Sequence, residues 1–153
     1  MQKFFKIEFL SKFKLIASCF DFDAITRPET RIILLDFIDA FVAKNEKLIE
    51  NIENFDFHAK CARDAINRKI PPKEIENLRV QLLEQQDKAV GSKKNVLALI
   101  AMTLGSGEWK DYDLGAGECF SIFGWNLFLI NKSLSKIFLD FIDSHPLMRK
   151  FKI

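Results

Sequence analysis

The sequence predicts an all-α protein. Apolar residues recur at the spacing of amphipathic helices along most of the chain, and capping residues, glycines and prolines separate the segments that show this spacing. The 153-residue chain is 48% apolar and 29% charged, a balance typical of a folded globular domain. We therefore expect one domain over residues 1–153, with about seven helices in a single globular bundle or a short stack of antiparallel helix pairs.

The first two predicted helices each have an apolar face typical of helices packed on a core. One covers residues 3–20, and the other covers 28–53 and begins at Thr26-Arg27-Pro28-Glu29, which fits a capping box with proline in the first turn. Asn45 is expected to bend or split the second helix. The residues predicted to face the core are Phe4, Phe5, Ile7, Phe9, Leu10, Phe13, Ile16 and Phe20, and then Ile32, Leu35, Ile38, Phe41, Val42, Leu48, Ile49 and Ile52.

Five further helices are predicted over residues 56–68, 72–89, 94–104, 116–130 and 132–143. The run from 96 to 102 is apolar on all sides, which predicts the most buried element. Alanine and leucine dominate this run and favour a helix, with a buried strand as the alternative. Two other helices carry apolar stripes, at Ile75, Leu78, Leu82 and Leu83, and at Leu134, Ile137, Phe138, Phe141 and Ile142.

No recognisable catalytic or metal-binding motif is present. His58, Cys61 and Asp64 lie at i, i+3 and i+6 of the third predicted helix, a spacing at which a Cys–His couple or two metal ligands could form. A structural zinc site needs four ligands and a catalytic one needs three, and the only other histidine is His145. We therefore predict no enzyme activity, no cofactor and no metal. An unrecognised enzyme built around His58 and Cys61 remains the alternative.

The N-terminus and the cysteines predict a cytoplasmic protein. Ile16-Ala17-Ser18-Cys19 looks like a lipoprotein cleavage box, but charged residues interrupt every apolar stretch before it, so export is not expected. No apolar run approaches the roughly 18 residues of a transmembrane helix, so we expect no stable membrane insertion. Three widely spaced cysteines are typical of a reduced compartment. A basic amphipathic first helix that lies on a membrane surface remains an alternative.

Charge is distributed in blocks along the chain. Residues 21–56 carry nine acids and four bases, a net charge of −5, and residues 57–94 carry nine bases and five acids, a net charge of +4. Residues 95–145 carry six acids and three bases, a net charge of −3. Such blocks are usually solvated helix faces, and they also permit a polarised surface that steers a charged partner.

Residues 107–118 form the most informative segment. They combine two amphipathic aromatic residues with four acids on a glycine-rich backbone between two buried helices. Interfaces use aromatic anchors of this kind, and the acids disfavour nucleic acid as the partner. We predict a protein-binding surface made of Glu108, Trp109, Asp111, Tyr112, Asp113 and Glu118. In the alternative, Trp109 and Tyr112 fold back as a lid on the core.

Four features of the chain occur together: the modest length, the helix-only pattern, the Cys61-Ala62-Arg63-Asp64-Ala65 helix followed by Pro71-Pro72, and the acidic aromatic segment before an apolar helix pair. In these features the chain resembles the small all-helical immunity proteins encoded beside bacterial contact-dependent or polymorphic toxins. The resemblance implies a cytoplasmic antidote that binds one toxin domain, expected to be basic, and does no chemistry. A helical adaptor that uses the basic first helix remains an alternative.

Overall fold

The computed structural model describes residues 2–50, 52–104 and 115–153, with side chains described from residue 7 onward in these ranges. Within them the chain is helical and contains no β-strand, which confirms the all-α prediction. Residues 94–104 are helix, so the alternative of a buried strand is wrong. The α-helices are α1 (Gln2–Ala17), α2 (Arg27–Phe37), α3 (Glu46–Ile49), α4 (Phe55–Ile66), α5 (Pro72–Lys88), α6 (Ser92–Leu104), α7 (Ala116–Ile130) and α8 (Lys132–Ser144).

Shorter helical elements complete the described chain. Helix α2 continues into a π-helical segment, Ile38–Val42, and 3₁₀-helices form at Phe22–Ala24 and Pro146–Phe151. The second predicted helix is therefore split before α3, and the split falls at Asn45, as expected. The two 3₁₀-helices were not among the predicted elements, because each is too short for a helical period to be read from its sequence.

The capping box at the start of α2 forms as predicted. The Glu29 backbone N–H donates to Oγ1 of Thr26 at 3.3 Å, and the Thr26 backbone N–H donates to Oε1 of Glu29 at 3.2 Å. Glu29 also forms an ion pair with Lys150 in the last 3₁₀-helix. The hydrogen bond from Lys150 holds the pKa of Glu29 below its usual value. A carboxylate with a depressed pKa contributes stability that is lost as the pH falls through that pKa, so acidification loosens this end of the fold.

The C-terminal residues pair with the link between α1 and α2. The Asp21 backbone N–H donates to the Phe151 carbonyl at 2.7 Å, and the Ile153 backbone N–H donates to the Cys19 carbonyl at 2.9 Å. These bonds flank an isolated antiparallel bridge between Phe20 and Lys152. Met148 and Phe151 are buried against the core beside them. The chain end is thus anchored by backbone pairing as well as by the Glu29–Lys150 ion pair.

The buried apolar residues form one connected cluster with α6 at its centre. Helix α6 packs against α2, α3, α4, α5 and α7, and its Val96, Leu97, Leu99 and Ile100 are almost completely buried. This confirms the prediction that the apolar run from 96 to 102 belongs to the most buried element. A second part of the core is aromatic, with phenylalanines of α2, α7 and α8 packed ring against ring.

Several predicted core positions are wrong. Ile7 is 64% exposed, Leu83 is 38% exposed and Ile137 is 37% exposed. Leu83 and Ile137 lie at the edges of their helices' apolar faces, whereas Ile7 lies two residues before the buried Phe9 and so on the opposite side of α1. On α1, Ile7 shares the solvent side with the exposed Leu15. In the described ranges, no helix combines the length and the apolar character needed to cross a bilayer.

Helix α4 ends with a residue that is unfavourable for its backbone conformation. Arg68 has a φ of +58°, in the left-handed region. The Lys69 backbone N–H donates to the Asp64 carbonyl at 2.8 Å, and the Arg68 backbone N–H donates to the Ala65 carbonyl at 3.1 Å. These two bonds define a Schellman motif, in which glycine usually occupies the position that arginine occupies here.

Replacing Arg68 with glycine is therefore expected to stabilise the fold. A side chain in the left-handed region costs about 1 kcal/mol or slightly more, and glycine removes this cost. We expect Arg68→Gly to raise the free energy of unfolding by about 0.5–1 kcal/mol in urea denaturation. Arg68→Ala, which keeps a Cβ atom, serves as the control and should give no such gain. A loss of stability in Arg68→Gly would contradict this interpretation.

Candidate protein-binding surface

Most of the predicted contact segment lies outside the described residues, namely Glu108, Trp109, Asp111, Tyr112 and Asp113. Glu118 is described, and it is exposed in the first turn of α7. It begins a row along that helix that continues, at i+4, i+7 and i+11, with Ile122, Trp125 and Leu129. Ile122 and Leu129 are exposed, and the half-buried Trp125 stacks on Phe128 with ring centroids 5.1 Å apart. Partner binding by the segment, and a lid formed by its aromatic residues, both stay predictions.

A second surface with the predicted chemistry lies between α3 and the start of α4. It is a groove of about 650 Å³, and every charged residue that the structure describes in its lining is an acid. Phe57, on its rim, is 53% exposed, whereas Phe55 and Ile52 are buried at its base. We call this surface the acidic groove. Its lining residues are Glu46, Ile49, Glu50, Ile52, Asn54, Phe55, Asp56 and Phe57.

Local backbone geometry and helix periodicity produce the acidic groove. Asn54 has a φ of +58°, a conformation that asparagine tolerates better than most residues, and it turns the chain into α4. Phe55 then begins the buried face of α4. Residues two apart on a helix do not share a face, so the burial of Phe55 leaves Phe57 on the solvent side. This spacing is visible in the sequence and could have identified Phe57 as an exposed aromatic residue.

A polar network joins α2, α4 and the end of α8 on another part of the surface. The Leu147 backbone N–H donates to Nδ1 of the buried His145 at 3.1 Å, so Nε2 of that ring carries the proton in the neutral tautomer. Nε2 lies 2.8 Å from Oδ2 of Asp36. Arg63 then bridges two carboxylates, with Nη1 3.3 Å from Oδ1 of Asp36 and Nη2 2.5 Å from Oδ2 of Asp39.

The geometry of this network fits a structural role. Both nitrogens of His145 are engaged, one as the cap of the last 3₁₀-helix and the other with Asp36. A general base needs a free nitrogen within reach of a substrate proton, and this ring presents none in this arrangement. Asp36 and Asp39, which lie three residues apart, are held together by Arg63. The network therefore ties the end of α8 to α2 and α4.

His58 and Cys61 are both buried on α4, with 4% and 7% of their surface exposed. These are the residues on which the alternative hypothesis of an enzyme depends. Burial raises the pKa of the Cys61 thiol, and Asp64 adds to this effect. Burial lowers the pKa of His58, while the side chain of Gln85 opposes the shift without reaching hydrogen-bond geometry with the ring. These shifts favour a neutral thiol and a neutral imidazole, the opposite of an activated Cys–His pair.

Among residues 2–50, 52–104 and 115–153, no three histidine, cysteine or acidic side chains cluster in a way that would hold a metal ion.

Comparison with known proteins found no match to the chain among protein-family models, curated proteins or solved structures.

Proposed function

We propose that this protein is an immunity-type binding protein that neutralises a cognate bacterial toxin domain by docking a basic surface of that domain into the acidic groove. The observation that carries the proposal is the exposed ring of Phe57 beside a groove whose described charged residues, Glu46, Glu50 and Asp56, are all acids. The resemblance in helix pattern to immunity proteins supplies the class of partner. The exposed Glu118 row on α7 is a second place where the same kind of contact would form.

Phe57 suits the role of anchor. Contact between water and an exposed phenylalanine ring is unfavourable in the free protein. A partner that covers the ring removes this contact, and burial of the aromatic side chain then contributes to the free energy of binding. Binding hot spots combine such a residue with a surrounding ring that excludes water. Here Ile49 and the carboxylate-bearing residues around the groove would form that ring.

The carboxylates suit the role of steering groups. Glu46, Glu50 and Asp56 line one concave surface, where their fields add. A toxin domain that acts on nucleic acid is expected to be basic around its active site because its substrate is polyanionic. Complementary charge of this kind raises the association rate more than the final affinity.

Neutralising the groove should slow association. We expect the triple variant Glu46→Gln, Glu50→Gln, Asp56→Asn to associate at least about tenfold more slowly with its toxin partner at low salt, and to show a weaker salt dependence. The partner to test is the product of the open reading frame beside the gene, an arrangement that the proposal requires. Stopped-flow mixing over a range of salt concentrations measures both quantities.

The matched control is the triple variant Glu84→Gln, Asp87→Asn, Asp143→Asn. It removes the same charge from exposed positions on α5 and α8 that do not line the groove. This control should associate nearly as fast as the unmodified protein. Equal slowing in both triple variants would show that net charge alone sets the rate, and the acidic groove would then have no special role.

One observation favours a second candidate, a helical adaptor or membrane-surface protein. Ile7 is 64% exposed and Leu15 is 70% exposed, on the same side of α1 as the exposed Lys14. Apolar and basic residues on one exposed helix face are typical of helices that lie on anionic lipid. Co-sedimentation with vesicles containing phosphatidylserine, lost in Leu15→Ala, Lys14→Gln, would support this candidate.

A further inference from the structure

A second groove lies at the other end of α4. It has a volume of about 530 Å³ and runs between the start of α2, the end of α4 and the start of α5. Among its lining residues in the described part of the chain, three are cations and none is an acid. We call it the cationic groove. Its lining residues are Pro28, Arg31, Ala65, Ile66, Arg68, Lys69, Ile70, Pro71, Pro72 and Ile75.

We propose that the cationic groove binds a small amphipathic anion, a phosphate or carboxylate group carried on a compact apolar body. This site is separate from the acidic groove and does not depend on the function proposed above. Arg68 and Lys69 would hold the anionic group, with Arg31 contributing positive charge deeper in the groove. The isoleucines and prolines of the lining would contact the apolar body.

The arrangement of charge supports an anionic ligand. Arg68 and Lys69 form no ion pair with any residue in the described part of the chain. Arg31 lies near Arg27, and the pKa of Arg31 is lowered, first by burial and then by the positive charge of Arg27. Arg68 and Lys69 thus place positive charge at the groove beside Arg31, and this charge would attract a bound anion.

The backbone at Arg68 is a second, independent observation. The Schellman motif that ends α4 places this residue in the left-handed region, where glycine would be more stable. Strained residues occur preferentially at functional sites, where the side chain compensates for its cost to stability. An arginine at the rim of a cationic groove fits that pattern, because glycine would remove the cation.

The shape and chemistry of the groove favour a small organic molecule. Pockets for such ligands are typically about 300–1,000 Å³, largely apolar, with a few placed polar groups. The cationic groove has this size, and Ile66, Ile70 and Ile75 give it an apolar wall. Helix α5, which begins at Pro72, directs the positive end of its dipole toward the same place.

Three probes test the proposal by NMR titration of the isotopically labelled full chain. Phenyl phosphate supplies both the anion and the apolar body, inorganic phosphate supplies the anion alone, and benzyl alcohol supplies the apolar body alone. We expect saturable shifts of amide signals from residues 65–75 with phenyl phosphate. Its affinity should be at least tenfold higher than that of either other probe.

Two double variants separate a specific site from general charge attraction. Arg68→Gln, Lys69→Gln should weaken phenyl phosphate binding at least tenfold. Lys93→Gln, Lys94→Gln removes the same charge from adjacent residues at the start of α6, outside the groove, and should leave binding within about twofold of the unmodified protein. Arg68→Gly adds a check on folding, since it should bind several-fold more weakly while melting at a higher temperature.

Three results would overturn the proposal. Absence of saturable shifts would show that the groove is not a site for such anions. Inorganic phosphate binding as tightly as phenyl phosphate would show that the apolar wall contributes nothing. Equal losses in the two double variants would show that the cations act only through net charge.

Discussion

Replacing Phe37 with alanine is expected to lower the free energy of unfolding by about 3–5 kcal/mol, the range for a fully buried phenylalanine. Its ring is 0% exposed and lies among four other phenylalanine rings. The centroid distances are 4.9 Å to Phe41, 5.0 Å to Phe138, 5.4 Å to Phe141 and 6.1 Å to Phe123. Alanine would leave a cavity that these rings cannot fill without moving the helices that carry them.

Urea denaturation of the variant measures this loss. Phe57→Ala is the matched control, because it makes the same chemical change at a ring that is 53% exposed. The control should lose no more than about 1 kcal/mol. A small domain is stable by about 5–15 kcal/mol, so Phe37→Ala alone should remove a large part of that stability. A loss below about 1 kcal/mol for Phe37→Ala would show that the aromatic core is not packed as described.

Replacing Gly124 with alanine is expected to cost about 2 kcal/mol. A Cβ atom on Gly124 would lie 2.5 Å from Cζ of Phe9 and 3.3 Å from Cδ2 of Phe138. Both rings are buried, so either the Phe9 ring would have to shift against its neighbours or α1 would have to move away from α7. Overpacking of a core typically costs about 1–3 kcal/mol. Alanine also favours the helix by about 1 kcal/mol over glycine, which offsets part of the strain.

Thermal unfolding measures the stability of Gly124→Ala, and Gly115→Ala is the control with which it is compared. Apart from its chain neighbours, a Cβ atom on Gly115 would meet no atom of the described residues within 4 Å, so this control creates no overlap there and should lose at most about 1 kcal/mol, from alanine at the N-cap of α7. If Gly124→Ala proved as stable as the unmodified protein, the close packing of Phe9 on α7 would be wrong. Gly124→Ala combined with Phe9→Leu should recover part of the loss, because leucine is shorter than phenylalanine at the point of contact.

The helices could be predicted from the sequence because their ends are marked locally. The capping box at Thr26, the prolines that open α5 and the glycine before α6 each act within one turn of the chain. The split at Asn45 is also local, since it follows from a weak helix former in a long segment. For these reasons each predicted helix has a counterpart in the described ranges, with the second one divided into α2, its π-helical continuation and α3, and with short 3₁₀-helices in addition.

The core could be predicted only in part, because periodicity indicates which side of a helix is apolar and not how many neighbours surround it. Helix α2 packs against α4, α6, α7 and α8. Ile33, Leu34 and Phe37 are therefore fully buried beside the predicted Leu35 and Ile38. Conversely, Ile7 lies on the side of α1 that no described helix covers.

The candidate sites depended even more on tertiary structure. His145 and Asp36 are 109 residues apart in the chain, and no local pattern indicates that they meet. The acids of the acidic groove belong to residues 21–56, a segment whose net charge of −5 is visible in the sequence. The turn at Asn54 that brings α3 beside α4 has no strong sequence signal. The two-residue spacing of Phe55 and Phe57 is a local signal for one of its members, but Phe57 is not among the contact residues predicted from the sequence.

The most direct test of the proposed function is the binding of the adjacent gene's product to Phe57→Ala, measured as association and dissociation rates on an immobilised surface. If Phe57 is the anchor, the variant should bind about 30-fold more weakly, mainly through faster dissociation, which corresponds to about 2 kcal/mol. Leu15→Ala, which truncates a more exposed apolar residue on α1, should bind like the unmodified protein. Unchanged binding by Phe57→Ala, with its fold intact, would contradict the assignment of the acidic groove as the toxin-binding surface.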